Sequence, residues 1–296
     1  MEIGTILFFS ALMGLPLIKN YLVEKRKGED IIARLPFYDT ITYAKPSDTL
    51  PPSNTPQGME SKLKYFNQND KIKGLILEIN SGGGSAGASN DIYNMLKEFK
   101  KPKVALIKSI CASGAYMAAC ACDEIICPED SLVGSIGVIM KKPNIEGLMQ
   151  KLGIKMDILK AGESKDAVSY FKPIPEKERK KLEKLLSRSH ERFIDLVLEN
   201  RKEMPRDVLE EFATGEITDG YEANQLGLVD KIGDLSDAIE TCERLGNFKH
   251  SYVDNIKDKQ SFFAKVLSKT SYDFGKGFAD RFIEISSDKG TLYKER

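Results

Sequence analysis

The sequence predicts an α/β fold with a mostly parallel sheet, because strand-like and helix-like stretches alternate along its first half. Residues 71–80 (KIKGLILEIN) form a short apolar run, and after a glycine turn residues 88–100 take up a helical rhythm. The next stretch repeats the scheme with a strand at 103–108, a helix at 114–122 and a short strand at 124–127. Strands that alternate with helices are joined by right-handed crossovers, which make neighbouring strands parallel.

Length and composition favour one main globular domain with attached segments. The chain has 296 residues, of which 41% are hydrophobic, and this is enough to bury one sizeable core. Its 44 basic and 44 acidic residues cancel and are interspersed along the chain, so no long-range field would attract nucleic acid. We therefore expect no nucleic-acid partner.

Four of the five cysteines are crowded into one stretch rich in small apolar residues, as Cys111, Cys120, Cys122 and Cys127. Their spacing matches no familiar zinc pattern. We interpret them as small buried hydrophobes in a reducing setting, not as metal ligands or disulfide partners. The sequence indicates neither a metal nor a cofactor.

The N-terminus is predicted to form a transmembrane anchor over residues 1–24. Residues 3–18 carry no charge, although at about 1.5 Å per residue they span somewhat less than the apolar core of a bilayer. A cleaved signal peptide is the alternative, but only Glu2 flanks the run on its N-terminal side and no small-x-small cleavage site follows. The basic cluster at 25–27 would place the rest of the chain on the cytoplasmic side by the positive-inside rule.

Three further segments complete the predicted organisation. Residues 25–60 are expected to be a linker, because 40–58 are rich in Pro, Ser, Thr and Asn. The folded domain is expected over 61–245, followed by a C-terminal helical tail at 246–296. Within the domain, residues 175–202 are predicted to form one long, highly charged helix, an arm or a surface for a neighbour.

The first candidate functional segment is the glycine turn Asn80 to Ser85 (NSGGGS), which ends a predicted strand. Consecutive glycines allow positive φ and let backbone N–H groups point outward, which suits an anion or a developing oxyanion. A phosphate loop is an alternative, but no Gly-Lys-Ser/Thr follows the turn. A plain tight turn explains the same residues.

The second candidate is Ser113, which lies between small residues at the start of a predicted helix (ASGAY). The helix dipole and the free N–H groups there would stabilise negative charge, and the small neighbours leave room for a substrate carbonyl. Ordinary N-capping by Ser113 explains the same pattern.

The third candidate is Lys165, in a loop of small and polar residues (AGESKD) after a predicted strand at 155–159. Most lysines in such loops are solvated, and a functional role requires this one to be buried and neutral. A nucleophilic serine needs a base, and the two histidines, His190 and His250, lie near no catalytic-looking motif. A desolvated lysine can do the same work.

Four segments in this order resemble the signal peptide peptidase (protease IV) family of Ser-Lys dyad proteases. They are NSGGGSAG, KSICASGAYMAACACDEIICPEDSLVGSIGVI, KAGESKDAVS and GEITDGYEANQLGLVDKIG, and the likeness covers residues 74–233. The resemblance implies a Clp/crotonase-like fold of ββα repeats with a mostly parallel sheet. It also implies a membrane-anchored serine endopeptidase.

The resemblance assigns a role to each candidate residue. Ser113 matches the nucleophile, Lys165 its general base, and Ser135 the hydroxyl that helps to hold the lysine amine. The N–H of Gly114 and an N–H of the glycine turn match the oxyanion hole. Because the family usually has Asn-Ser-Pro-Gly-Gly in that turn and this chain has Gly82 for the proline, the choice between Gly83 and Gly84 stays open.

The resemblance also implies substrates, partners and a location. The expected substrates are apolar, extended peptides such as signal peptides left in the membrane after cleavage. Family members assemble into rings, so a homo-oligomeric ring is expected here. Bacterial members generally keep the protease outside the cytoplasmic membrane, which opposes the basic cluster at 25–27; the membrane side is therefore not assigned.

Two other classes stay open from the residues alone. A crotonase-like enzyme acting on a thioester would use the same pair of oxyanion N–H groups and would not need Lys165. In a catalytically silent membrane scaffold, Lys165 would be solvated and Ser113 would only cap its helix.

Overall fold

The computed structural model describes residues 30–45, 51–250 and 252–256. The strands are β1 (Ile31–Tyr38), β2 (Ile72–Ser81), β3 (Lys103–Ala112), β4 (Glu124–Cys127), β5 (Leu132–Gly134), β6 (Ile217–Asp219), β7 (Lys231–Ile232) and β8 (Tyr252–Asn255). The helices are α1 (Pro56–Gln68), α2 (Ala86–Glu98), α3 (Gly114–Cys120), α4 (Glu146–Lys151), α5 (Glu176–Asn200), α6 (Arg206–Phe212), α7 (Gly220–Gln225) and α8 (Leu235–Gly246), with a 3-10 helix at Glu163–Asp166.

The strands form one sheet, whose main path runs β6-β5-β3-β2-β1-β8, and the sheet forks at β3. The N-terminal half of β3 pairs with β4 from Val104 onward, whereas its last residues, Ile110 to Ala112, pair with β5. Every pairing is parallel except that of β5 with β6. The prediction of an α/β fold with a mostly parallel sheet is confirmed.

Helices cover both faces of the central strands, which explains why β2 and β3 read as nearly continuous apolar runs. On one face α8 lays Ala238 and Cys242 against Ile76 and Val104. On the other face α1, α2, α3 and the C-terminal half of α5 close the larger core around side chains such as Leu77. The sheet is therefore buried on both sides, and the carboxyl ends of β2, β3 and β5 present the loops that carry the candidate residues.

The expectation of a linker over 25–60 is wrong for its described part. Strand β1 lies in that stretch and occupies the sheet between β2 and β8, and α1 begins there as well. The burial of Ile32, Leu35 and Phe37 makes β1 a core strand. Its apolar residues are interrupted by an arginine and by Pro36, which is unusual inside a sheet and hides the strand pattern.

Two smaller expectations are also corrected. The described part of the tail at 246–296 includes β8, which pairs in parallel with β1, so it is not wholly helical. Residues 155–159 form no strand, because no neighbouring strand pairs with them and their side chains are exposed. The predicted helix at 175–202 is observed as α5.

The membrane anchor predicted over residues 1–24 lies outside the described residues. Within the described ranges, none of the helices has the length and apolar composition that a bilayer crossing requires.

Candidate active site

Ser113 lies at the turn from β3 into α3, in a backbone conformation that non-glycine residues rarely adopt. Its φ is 54° and its ψ −125°. Its side chain makes no capping hydrogen bond within the described structure, so N-capping does not account for this serine. A strained residue of this kind costs about 1–3 kcal/mol and persists where the surroundings enforce it. A serine on a sharp strand-to-helix turn is presented outward, as in the nucleophile elbow of serine hydrolases.

Gly83 and Gly114 lie directly against Ser113. A β-carbon on Gly83 would stand 2.9 Å from Ser113 Cβ and 2.7 Å from the Gly114 nitrogen, and Gly83 has φ +89°. A β-carbon on Gly114 would stand 2.1 Å from Oγ of Ser89 in α2. Both positions therefore exclude any larger residue, and their backbones can come close to a reacting carbonyl.

The geometry separates Gly83 from Gly84. Gly84 faces the segment after β1, where a β-carbon would stand 2.1 Å from the carbonyl oxygen of Ile41. The Gly83 N–H donates a long hydrogen bond of 3.2 Å to Oγ of Ser81. Of the two candidate glycines, Gly83 is thus the one beside Ser113.

Ser135 follows β5 and lies next to Ser113 across the strand pair. Ala112 is in register with Gly134, and the Ser113 N–H donates to the Gly134 carbonyl at 2.8 Å. Ser135 itself has φ 51°, and its N–H donates to the carbonyl of Glu216 at 2.5 Å. The two serines therefore sit side by side at the ends of adjacent strands, each fixed by a backbone hydrogen bond.

Lys165 is not buried in the single chain, contrary to the expectation. It lies in the 3-10 helix, and its side chain is exposed. Among the described residues its amine forms neither a hydrogen bond nor an ion pair, with Ser113 or with any other group. The structure thus brings together Ser113, Gly83, Gly114 and Ser135 but leaves Lys165 in solvent.

The two neighbours of Lys165 are both held by charged partners. Ser164 Oγ donates to Glu178 Oε1 at 2.6 Å, and this bond lowers the pKa of the Glu178 carboxyl. Asp166 accepts from Lys160 at 2.6 Å and from Lys172 at 2.5 Å. These hydrogen bonds, that of Lys160 first, lower the pKa of Asp166 to about 2.

The segment after β1 contributes residues that sequence reasoning missed. The Ile41 N–H donates to the Gly83 carbonyl at 3.0 Å, and the Ser85 N–H donates to the Ile41 carbonyl at 2.9 Å. Ile41 is buried and would lie 3.5 Å from a β-carbon on Gly114. The sequence signal that could have indicated this segment was a single isoleucine in a polar stretch. The segment supports the glycine turn through these two backbone hydrogen bonds.

The cysteines near Ser113 are buried and inert. Cys111, Cys120 and Cys127 are buried and Cys122 is half-buried, all as free thiols. Burial raises the pKa of Cys120 to about 12, so its thiolate does not form near neutral pH.

A half-buried serine on a strained strand-to-helix turn, with close backbone N–H groups beside it, is typical of serine-type acyl-transfer enzymes. The sequence profile of Peptidase family S49 matches residues 95–249, and that of Clp protease matches residues 24–129. The chain belongs to peptidase family S49 and is a serine-type protease with a Clp-protease-like fold.

Individual relatives agree with this assignment. A proposed protease of Methanocaldococcus jannaschii is 33% identical over 247 residues, which are 80% of this chain and 79% of that protein. A proposed signal peptide peptidase of Enterococcus faecium is 32% identical over 211 residues, 70% of this chain and 61% of that protein. The solved structure of a membrane-bound stomatin-specific protease covers 78% of this chain and is itself covered to 99%, with a TM-score of 0.50 and 14% identity, a similarity of fold.

Proposed function

We propose that this protein cleaves apolar, extended peptides with Ser113 as nucleophile and Lys165 as general base. The observation that carries the proposal is the strained Ser113 turn packed against Gly83 and Gly114. The serine has no capping role, so its hydroxyl can attack a carbonyl. The two adjacent glycines tolerate no side chain, so their backbone N–H groups can approach the oxyanion that the attack produces. Signal peptides remaining after cleavage fit this substrate class, and the proposed function of the Enterococcus relative supports them.

The proposed reaction begins with proton transfer from Ser113 Oγ to the neutral amine of Lys165 as the oxygen attacks the peptide carbonyl. The N–H groups of Gly114 and Gly83 stabilise the oxyanion. To do so, the Gly83 N–H gives up its long hydrogen bond to Ser81 and donates to the substrate oxygen instead. The Ser135 hydroxyl holds the amine. Lys165 then protonates the leaving amine, and water hydrolyses the acyl-enzyme.

The proposed role of Lys165 requires its amine to leave water, because a solvated ammonium cannot accept a proton. In the same part of the chain, ten large hydrophobic side chains are exposed. We define the 139–172 face as the exposed large hydrophobic residues of that stretch: Ile139, Met140, Leu148, Leu152, Ile154, Met156, Ile158, Leu159, Val168 and Tyr170. Exposed apolar surface of this extent is typical of an interface. A second copy packed there, in a homo-oligomeric ring, would cover the lysine.

The proposed location is a membrane, through a single-pass anchor at residues 1–24. The apolar run at 3–18 supports it, as does the apolar substrate class. Deletion of residues 1–24 should release the protein from phospholipid vesicles in a flotation assay while peptide cleavage continues. Flotation that is unaffected by the deletion would contradict the anchor.

The catalytic proposal is tested by hydrolysis of a fluorogenic apolar peptide by the detergent-solubilised full chain across pH 6 to 10. Ser113→Ala and Lys165→Ala should each lose at least about 10³-fold in kcat, in the range of other catalytic dyads and triads. Ser187→Ala and Lys184→Ala, both at exposed positions of α5, are the matched controls and should keep full activity. Circular dichroism checks that each variant is folded.

Each outcome separates the alternatives. Full activity of Lys165→Ala would remove the lysine from the mechanism and mean that another group deprotonates the nucleophile. No cleavage by the wild type, with any apolar peptide, would favour the thioester enzyme or the silent scaffold.

The ring is tested by sedimentation velocity in detergent. Leu152→Asp and Leu159→Asp should shift the protein to smaller species and lower its activity in parallel. Tyr65→Asp, at an exposed position of α1, is the control and should leave both unchanged. A wild type that sediments as an active monomer would contradict the ring.

A further inference from the structure

We infer that Glu178 and Asp166 are positioning residues, which fix the 3-10 helix and hold the Lys165 amine clear of the neighbouring acids. The inference rests on the proposed function of Lys165 and adds to it the groups that act through this lysine. Lys165 has a fastened neighbour on each side, Ser164 and Asp166, while its own amine stays free within the described structure.

Glu178 fastens the N-terminal side of Lys165. It lies in the first turn of α5 and is only 8% exposed, although most of the surrounding helix is in solvent. Its Oε1 accepts from Ser164 Oγ at 2.6 Å and from Lys181 Nζ at 3.3 Å. A buried carboxylate held by two donors is costly to remove and fixes the groups bound to it. Ser164 is thereby tied to a rigid helix.

Asp166 fastens the C-terminal side and closes the loop on itself. Its two carboxylate oxygens form ion pairs with Lys160, which precedes the 3-10 helix, and with Lys172, which follows it. The Lys160 ammonium also donates to the Glu163 carbonyl at 2.9 Å. One carboxylate therefore joins the entry and exit of the loop, so the helix between them cannot swing freely.

The same network keeps carboxylates away from Lys165. Glu163 pairs with Lys177, Glu178 with Lys181, and Asp166 with two lysines, so each acid already has its own cation. An amine that pairs with a carboxylate holds its proton and cannot act as a base. The network thus orients Lys165 and leaves its amine unpaired.

Helix α5 connects this network to the nucleophile. Its N-terminal turn carries Glu178, while Phe193, Ile194 and Val197 near its other end are buried in the core. There α5 packs against α3, the helix that begins immediately after Ser113. Helix α5 therefore contacts both the loop that carries Lys165 and the helix that begins after Ser113.

The test measures kcat and KM of the full-length protein for the apolar peptide. Glu178→Ala should lower kcat by about 10²-fold, the cost of misplacing a catalytic group by about 1 Å, with KM changed less than about threefold. Glu178→Gln, which keeps an oxygen for Ser164, should recover most of the loss. Asp166→Ala should resemble Glu178→Ala. Glu183→Ala, at an exposed position of α5, is the control and should match the wild type.

A merely structural role predicts a different pattern. In that case Glu178→Ala would lower the melting temperature and kcat together, and Glu178→Gln would not restore kcat independently of the melting temperature. That pattern overturns the inference. Wild-type kcat in Glu178→Ala and Asp166→Ala, while Lys165→Ala is inactive, also overturns it and leaves the proposed function standing. Full activity of Lys165→Ala overturns the proposed function itself, and the inference falls with it.

Discussion

Ser113 and Ser135 show how single residues are held in costly conformations at this site. Both have positive φ, which for a residue with a β-carbon costs about 1–3 kcal/mol. Each is held by its N–H, which donates to the carbonyl of Gly134 in one case and of Glu216 in the other. Hydrogen bonds to β5 and to the residue before β6 therefore hold the backbone of both serines in these conformations.

The first prediction concerns Gly83. In Gly83→Ala the new methyl group would meet the Ala112 carbonyl oxygen at 2.7 Å and Ser113 Cβ at 2.9 Å, in a backbone with φ +89°. The turn has to shift, which displaces the proposed oxyanion donor, and we expect kcat to fall about 10²–10³-fold. Steady-state hydrolysis of the apolar peptide measures it.

Gly82→Ala is the matched control for that substitution. It adds the same methyl group one residue earlier, where, chain neighbours apart, no atom of the described residues would lie within 4 Å of it. We expect nearly wild-type activity and stability. Equal activity losses in the two variants would show that the turn tolerates no side chain anywhere, and would remove the specific role assigned to Gly83.

The second prediction concerns the acid stability contributed by Glu243. Its carboxylate accepts from the ring and the backbone N–H of His250 at 2.8 Å, and the ring bond is the main reason that its pKa falls from 4.5 to about 2. Because the folded pKa lies below the ordinary value, the stabilisation is complete above pH 4.5. It is lost as the pH falls from 4.5 toward 2.

Thermal unfolding followed from pH 7 to pH 2 checks this prediction. Glu243→Gln should be less stable than the wild type at pH 7, and the difference should shrink below pH 4.5. Glu240→Gln, in the same helix, is the control and should change the pH profile little. A constant difference between wild type and Glu243→Gln at every pH would contradict the assignment.

At the scale of elements, α3 is fastened at its first turn to the loop after α7. Tyr116 is fully buried, and its hydroxyl donates to the Leu228 carbonyl at 2.8 Å. The same loop is held by Arg201, the residue that follows α5, which pairs with Asp230 at 2.7 Å and donates to the Gly227 carbonyl. The helix that follows Ser113 is thus anchored through a loop far along the chain.

The third prediction follows from this anchor. Tyr116→Phe removes a hydrogen bond and leaves a buried carbonyl without it, which should lower the free energy of unfolding by about 1–3 kcal/mol. Urea denaturation measures the change. Tyr221→Phe, at an exposed position of α7, should stay within about 0.5 kcal/mol of the wild type. No loss in Tyr116→Phe would mean that the anchor does not stabilise α3.

The elements also show what a sequence can and cannot predict here. The sequence predicts strands β2 and β3 because their central residues, 75–77 and 104–107, are apolar and are buried on both faces of the sheet. Strand β1 was missed because Arg34, which pairs with Glu78, and Pro36 break its pattern, although both are accommodated inside the sheet. Local chemistry made Ser113 a candidate and the family resemblance gave it a role, whereas its distinction from a helix cap needed the backbone dihedral angles and the hydrogen bonds of the structure.

Lys165 marks a different limit of prediction. Its loop composition resembles that of a catalytic loop, but burial is a property of whatever packs on the loop. Among the described residues of the single chain, none buries the Lys165 side chain, and the apolar side chains of the 139–172 face are exposed as well. The sequence could indicate the residue, whereas the environment that would make it a base is one that we propose a second copy supplies.

At the scale of the whole molecule, the fork of the sheet at β3 creates the site. Because β4 pairs with the first half of β3 and β5 with its last three residues, the strand end that carries Ser113 is free of β4 and lies beside Ser135. The forked sheet needs its central strands to hold that end in place. These are β2 and, on its other side, β1.

The last prediction therefore concerns where the folded unit begins. A chain shortened to residues 30–256 keeps β1, whereas one shortened to 56–256 begins at α1 and follows the domain start near 61 that the sequence predicts. Loss of β1 removes Ile32, Leu35 and Phe37, each worth about 1.5–3 kcal/mol of burial, and leaves the edges of β2 and β8 unpaired. The burial loss alone is comparable to the whole stability of a typical domain.

We expect the 30–256 chain to melt cooperatively and the 56–256 chain not to fold, as measured by circular dichroism and differential scanning calorimetry. The control is a 30–256 chain with Tyr38→Ala, which trims the exposed end of β1 and should still melt cooperatively, at a lower temperature. Cooperative melting of the 56–256 chain would mean that the sheet is complete from β2 onward. In that case β1 would be an accessory strand, and the Ser113 turn would be held by β3 and β5 alone.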